Sequence, residues 1–300
     1  MKKLLVVISG LVLLLGLTLI IAVRFPSQEV PKTGSEIIAT WYQQNRSSVN
    51  TAAAWQAHDQ LHLWTKYIER ALASAGLSIS PLETKVVIQP GMRREQVAEL
   101  LAPQFNWTTA EKRYFAKTEP QCYLNRLEGR FYPGEYYFKS YSTPDEVEAV
   151  LHYEFARRMN DFLANPDPND PVLQSAIKVA SLLQREAAGH GDERVIAGII
   201  WNRIYADMPL QIDATLQYVK GEPGNWWPVP RPEDKFLDSP YNTYVHKGLP
   251  PTPIANTSSK MLLAALNPEP TDCFYYIHAR RQFYCSDSYE GHIRNIRRYL

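Results

Sequence analysis

The sequence has no excess of charge of either sign: 32 lysines and arginines stand against 31 aspartates and glutamates, for a formal net charge of +1. Nucleic-acid binders carry a basic stripe or patch, so nucleic acid is not expected as a partner. Cysteine is scarce. Only Cys122, Cys273 and Cys285 occur, and no CxxC pair accompanies them, which argues against a zinc site. Beyond residue 23 no apolar run approaches about 18 residues, so a second membrane span is not expected.

One long apolar run does exist. Residues 4–23, LLVVISGLVLLLGLTLIIAV, contain no charge. A helix of that length spans about 30 Å, the thickness of a bilayer's hydrocarbon core. Arg24, Phe25 and Pro26 follow it, where a cleaved signal would carry a small-residue site. The reading is an uncleaved single-pass anchor, with Lys2 and Lys3 holding the N-terminus inside. A cleaved signal peptide is the alternative. The rest, 45% hydrophobic over the whole chain, has material for one large domain or two smaller ones. Its 18 tyrosines and 7 tryptophans fit either a sugar-handling surface or ordinary core packing.

Along the chain the pattern is α+β. A polar stretch, 27–35, reads as a tether. Residues 36–77 read as mainly helical, with Trp55, His58, Leu61, Leu63, Tyr67, Ile68 and Leu72 at helical spacing and Gly76 as a C-cap. Val86–Ile88 reads as a short strand, followed by a Pro-Gly turn and a helix from about Arg94. In LEGRFYPGEYYF, residues 127–138, Pro133-Gly134 suits a type II turn between two extended segments. Helices are expected over 144–164, about 172–188, and GDERVIAGIIWNRI. Near the C-terminus, CFYYI and RQFYC read as strands. A turn centred on His278, Ala279 and Arg280 would pair Ile277 with Arg281, set Cys273 opposite Cys285 and allow a disulfide. Cys122 would be left over.

SLLQREAAGH, residues 181–190, places an acid on an apolar face. Val179, Leu182, Leu183 and Glu186 share one side of the helix. An unpaired carboxylate among branched aliphatics is costly, so its acid form is favoured. A carboxyl still protonated near neutral pH can protonate a leaving oxygen. The alternative is a salt bridge from Glu186 to Arg194 or Arg203. The stretch beyond, SPYNTYVHKGLPPTPIAN, lies in a proline-rich region of the kind that forms rigid loop walls, or plain linker.

The motifs VASLLQREA, RVIAGIIWNRI, MPLQIDATLQY, SPYNTYVHKGLPPTPIAN and FYCSDSYEGHIRNI, in this order, resemble the YceG-like endolytic murein transglycosylases of the MltG type. The resemblance covers roughly 86–300. With the anchor read at 1–24 and a tether and helical membrane-proximal region at 25–84, it implies a transglycosylase domain at 85–300 with its catalytic core at about 170–300. The implied fold is an extracytoplasmic mixed α/β domain behind the anchor, in the periplasm of a bacterial inner membrane. The catalytic acid would be Glu186. Gln211, Asp213 and Thr215, then Tyr241, Asn242, Thr243 and Tyr244, with Glu290 and His292, would line the glycan groove. No metal or organic cofactor is implied. The partners would be peptidoglycan strands and peptidoglycan synthases such as penicillin-binding proteins. The chain departs from the family at Gln184, where a glutamate is usual, and at Phe283-Tyr284-Cys285, where Gly-His-x-Phe is usual. The family's LysM-like module is not recognisable, since 36–80 reads as helical.

The implied reaction cleaves the MurNAc–GlcNAc bond, leaves 1,6-anhydroMurNAc ends and limits strand length. One carboxyl can serve it twice, whereas a hydrolase needs a second carboxylate. Asp213 separates the two: across a cleft from Glu186 it would allow hydrolysis, while a helix-capping role would favour the lyase. Tyr218, Trp226 and Trp227 would stack on sugars or simply pack. The alternative function is a catalytically weak or inactive glycan-binding scaffold of the wall-building machinery.

Overall fold

The computed structural model describes residues 34–45, 83–118, 128–164, 166–187 and 191–300. The apolar run at 4–23, most of the expected helical stretch at 36–77, and Cys122 lie outside them. Among the described residues no helix is long and apolar enough to cross a membrane. Residues 33–300 form one unit of mixed α and β structure with two small sheets.

The first described helix, α1 (Gly34–Asn45), falls in the stretch read as tether and membrane-proximal region, yet it packs into the main core through Ile38. Next come β1 (Glu83–Ile88), α2 (Arg94–Leu101), α3 (Thr109–Ala116), β2 (Gly134–Lys139) and α4 (Pro144–Phe162). β1 and β2 pair antiparallel, with Val86 opposite Tyr136 and Ile88 opposite Gly134. Alternation along the pair buries one face. Val86, Ile88, Tyr136 and Phe138 pack there with Val97, Leu101, Phe115, Phe131, Val147 and Leu151. The turn at Pro90-Gly91 has Gly91 at φ +85, and Met92 N–H bonds back to Gln89 O at 3.3 Å, as a type II turn requires. Pro133-Gly134 differs from expectation. Gly134 is not among the glycines of positive φ; it opens β2 instead, and pairing with Ile88 demands an extended backbone.

α4 spans both cores. Val147 and Leu151 point into the first, Phe155 and Met159 into the second. Its N-cap Thr143 forms a capping box with Glu146, satisfying backbone donors at the helix start. The second core is built on α5 (Pro171–Glu186), started by Asp170, whose side chain accepts from the Val172 and Leu173 N–H groups. Val179, Leu182 and Leu183 are fully buried, each contributing about 1.5–3 kcal/mol by transfer from water. α6 (Glu193–Tyr205), α7 (Asp213–Lys220), a 3-10 turn (Pro232–Phe236) and α8 (Ser259–Leu266) follow. Gly198 on α6 has a structural reason: a Cβ there would lie 2.4 Å from Glu269 O and 3.3 Å from Ser35 Cβ. Its absence lets α1 and the 269–271 segment approach α6, where Ser35 N–H bonds Asn202 Oδ1 at 3.0 Å.

The chain closes with β3 (Tyr275–Ala279), β4 (Gln282–Ser286) and α9 (Tyr289–Tyr299). The hairpin register differs from the sequence reading. Ala279 pairs with Gln282 and Tyr276 with Cys285. The two-residue loop is Arg280-Arg281, at φ +52 and +63, the left-handed geometry of a type I′ turn. Cys273 thus lies outside β3. It still bonds Cys285, at a Cα–Cα distance of 5.8 Å. Asn202 Nδ2 holds the preceding segment by the carbonyls of Thr271 and Cys273, at 2.6 and 3.2 Å.

Candidate active site

Glu186 is the last residue of α5 and is partly exposed. Two donors hold its carboxyl. The Tyr276 hydroxyl donates to Oε2 at 3.3 Å, and the backbone N–H of Ala214 also bonds it. Ala214 is the second residue of α7, so this N–H is one of the donors that a helix start leaves free. Neither arginine expected as a partner pairs with it. Arg194 Nε donates to Asn267 O at 2.8 Å. Arg203 donates to Phe274 O at 2.7 Å and to Leu210 O at 2.8 Å. Burial pushes the Glu186 carboxyl above the ordinary carboxylate range; the Tyr276 and Ala214 bonds oppose it, the Asp213 charge adds to it, and His278 opposes it. The result is an acid held between two tendencies.

Asp213 is exposed and is the first residue of α7; the N-cap is Ile212, which makes no side-chain cap. Asp213 is therefore a first-turn acid, favoured there by the helix dipole; of the two roles left open for it, capping is not the one it plays. Its Oδ1 accepts from the Tyr244 hydroxyl at 2.6 Å. Burial pushes the Tyr244 hydroxyl up, and the bond to Asp213 pushes it further.

Several residues expected to line a groove are buried instead. Asn242 is fully buried. Its Nδ2 donates to Leu237 O at 2.8 Å and Lys235 O at 3.2 Å, while its Oδ1 accepts from Tyr244 N–H at 2.9 Å. Thr215 and Thr243 are buried and face each other at 3.0 Å, and Thr243 Oγ1 accepts from Ile212 N–H at 3.0 Å. These three side chains are spent on holding the 237–244 loop against the start of α7. Gln211 is exposed, at φ +53, its N–H on Thr243 O. Tyr241 is half-buried, with its hydroxyl on Thr252 at 2.8 Å.

Tyr218, Trp226 and Trp227 pack with arginines. Arg93 lies 4.0 Å over the Tyr218 ring and Arg185 lies 3.9 Å over Trp227. Glu290 is exposed on α9. His292 stacks on Tyr275 at 5.3 Å, and burial, then Arg203, push its imidazole down. It lies behind β3. Gln184 accepts the Ser258 N–H at 2.9 Å and so ties α5 to the start of α8. Among the described residues no group of three or more His, Cys, Asp or Glu side chains is placed to hold a metal ion.

The model of the YceG-like family matches residues 35–298. The chain belongs to the YceG-like family. It is similar to the endolytic murein transglycosylase of Bacillus subtilis (strain 168), 27% identical over an alignment of 216 residues that covers 64% of this chain and 58% of that protein. The endolytic murein transglycosylase of Streptococcus pneumoniae serotype 2 (strain D39 / NCTC 7466) is 27% identical over 175 residues, 57% of this chain and 32% of that protein. The matched stretch therefore spans only part of these relatives' length. The crystal structure of a putative yceG-like protein from Listeria monocytogenes shares the fold, with a TM-score of 0.57 at 22% identity over 90% of this chain and 96% of that one.

Within this YceG-like chain the sequence reading missed Tyr276, His278 and Asp192. His278 stands directly across the hairpin from Phe283. Its Nε2 pairs with Asp192 Oδ2. The signal was available: in FYYIHA, period-two alternation sets Tyr276 and His278 on one face.

Proposed function

We propose that this chain is a lytic transglycosylase that cuts murein glycan strands endolytically, with Glu186 as acid and then base. The observation that carries the proposal is the state of Glu186: a carboxyl pushed up by burial, held by two hydrogen-bond donors, with both candidate arginines engaged elsewhere. Relatives bearing the name endolytic murein transglycosylase support the substrate class. A salt bridge in a closed core would have favoured the scaffold reading.

In the proposed reaction Glu186 gives its proton to the oxygen joining MurNAc C1 to GlcNAc, and the C1–O bond breaks with that oxygen leaving as a hydroxyl. The MurNAc C6 oxygen then closes on C1, and its proton returns to the Glu186 carboxylate. Tyr276 and the Ala214 N–H stabilise that carboxylate between the two transfers. At 3.3 Å the Tyr276 bond is loose, of the kind that tightens in a substrate complex. The 1,6-anhydro ring needs no second carboxylate, unlike hydrolysis. The proposal extends to an inner-membrane anchor at 4–23, a periplasmic catalytic part and action beside peptidoglycan synthases.

The test is digestion of purified peptidoglycan by the full chain and by Glu186→Gln, with products read by mass spectrometry. The expected products end in 1,6-anhydroMurNAc and disappear with the variant. Reducing ends would replace the lyase with a hydrolase and bring Asp213 forward; no cleavage by folded wild type would favour the scaffold. Reporter fusions on either side of residues 4–23 test the orientation.

A further inference from the structure

Asp192 occupies the N-cap position of α6 but makes no side-chain cap. An aspartate there ordinarily accepts from the helix's first free N–H groups. Here its Oδ2 turns to His278 Nε2, and its buried Oδ1 has no hydrogen-bond partner among the described residues. A capping bond has been given up for a histidine.

His278 in turn faces Tyr276. The two are alternate residues of β3 and share a face. Their rings meet edge to face, with centroids 5.9 Å apart and an interplanar angle of 82°. Phe283, opposite on β4, stacks on Tyr276 at 5.7 Å and meets His278 edge-on at 5.4 Å. Tyr276 is thus fixed on two sides while its hydroxyl reaches Glu186. An aromatic ring clamped in this way has little rotamer freedom left.

We propose that His278, held by Asp192, is a positioning residue for Glu186, acting through the Tyr276 ring whose hydroxyl bonds the carboxyl. This rests on the reading of Glu186 as the acid. The groups facing Glu186 are Asp213 and Tyr244 from the α7 side, Arg185 on its own helix, and Tyr276 and His278 from β3. Arg203 and Asp192 also act on Tyr276. Of these, Asp213 and His278 act on the carboxyl in opposite directions, so losing His278 removes the counterweight to Asp213.

The experiment uses the full chain labelled with 13C at glutamate carboxyls, with the Glu186 signal assigned by its loss in Glu186→Gln. In His278→Gln the Glu186 carboxyl is expected to titrate about half a pH unit higher. The cleavage rate is expected to fall about tenfold, and the alkaline limb of the pH profile to move up with the titration. In a Tyr276→Phe background the same substitution is expected to cost little more, because contacting residues acting as a unit are not additive. Asp192→Ala, which keeps the imidazole but removes its anchor, guards against a folding failure and is expected to lose a similar rate. Glu186 titrating as in wild type, or rate losses that multiply in the double variant, would overturn the proposal. A moved titration with no cleavage by wild type would uphold the positioning and reject the enzyme reading.

Discussion

The Tyr244 hydroxyl donates to Asp213 Oδ1 at 2.6 Å, tying the 237–244 loop to the first residue of α7. Asp213 is held where its charge adds to the burial that lifts Glu186. Asp213→Asn is therefore expected to lower the Glu186 titration and move the alkaline limb of the activity profile down by about half to one unit. The products are expected to keep their 1,6-anhydro ends. A pH series read by mass spectrometry checks both, and a switch to reducing ends or an unmoved limb would contradict the assignment.

Glu186→Gln is expected to cut activity by about 10²–10⁴-fold, the usual contribution of a general acid, without costing stability. The folded protein holds the Glu186 proton to a higher pH than the unfolded chain does, so the carboxyl's contribution to stability falls as pH rises through that interval. The glutamine variant is thus expected to gain on wild type between pH 5 and pH 8. Urea denaturation at the two pH values measures it.

Glu128 gives a second pH effect, at a carboxyl the proposed reaction does not use. It is fully buried and its carboxylate accepts from Arg94 N–H at 2.9 Å and Gly129 N–H at 3.1 Å, yet burial pushes it from 4.5 up to about 8. Below its unfolded value the carboxyl is protonated in both states. Between that value and about 8 only the folded state holds the proton, so stability falls with rising pH by up to about 1.4 kcal/mol per unit. Glu128→Gln is expected to flatten this slope, as thermal melts from pH 5 to pH 9 would show.

Asn242→Ala distinguishes a strut from a sugar contact. With both ends of its amide bonded to backbone, truncation leaves buried groups unpaired at about 1–3 kcal/mol each. The melting temperature is expected to drop by several degrees while the affinity of folded protein for glycan fragments stays the same. Weakened binding at unchanged stability would put Asn242 back in the groove.

The α5 helix was legible because its apolar spacing was strong, and the position of Glu186 at its end followed from the same spacing. Two identical Pro-Gly pairs were not distinguishable. Pro90-Gly91 turns, while Gly134 is drawn into β2 by pairing with Ile88, a contact across more than forty residues. The hairpin register was missed because Arg280-Arg281 lacks the Asn-Gly chemistry that marks a type I′ turn. In YNTY the residue types were right for sugar binding, but nothing local tells whether a loop amide faces a ligand or its own backbone.

Asn256 bears on where the protein can be cut. Its backbone carbonyl takes Gly91 N–H at 2.7 Å and its N–H gives to Met92 O at 2.9 Å. Its side chain spans Met92 O and Phe131 N–H, both at 2.9 Å. Two residues on, Ser258 bonds Gln184 in the last turn of α5. A fragment starting near residue 170, where sequence motifs alone would begin it, severs all four Asn256 bonds and strips α4 from the core beneath Glu186. A piece that keeps those bonds has to begin ahead of Gly91.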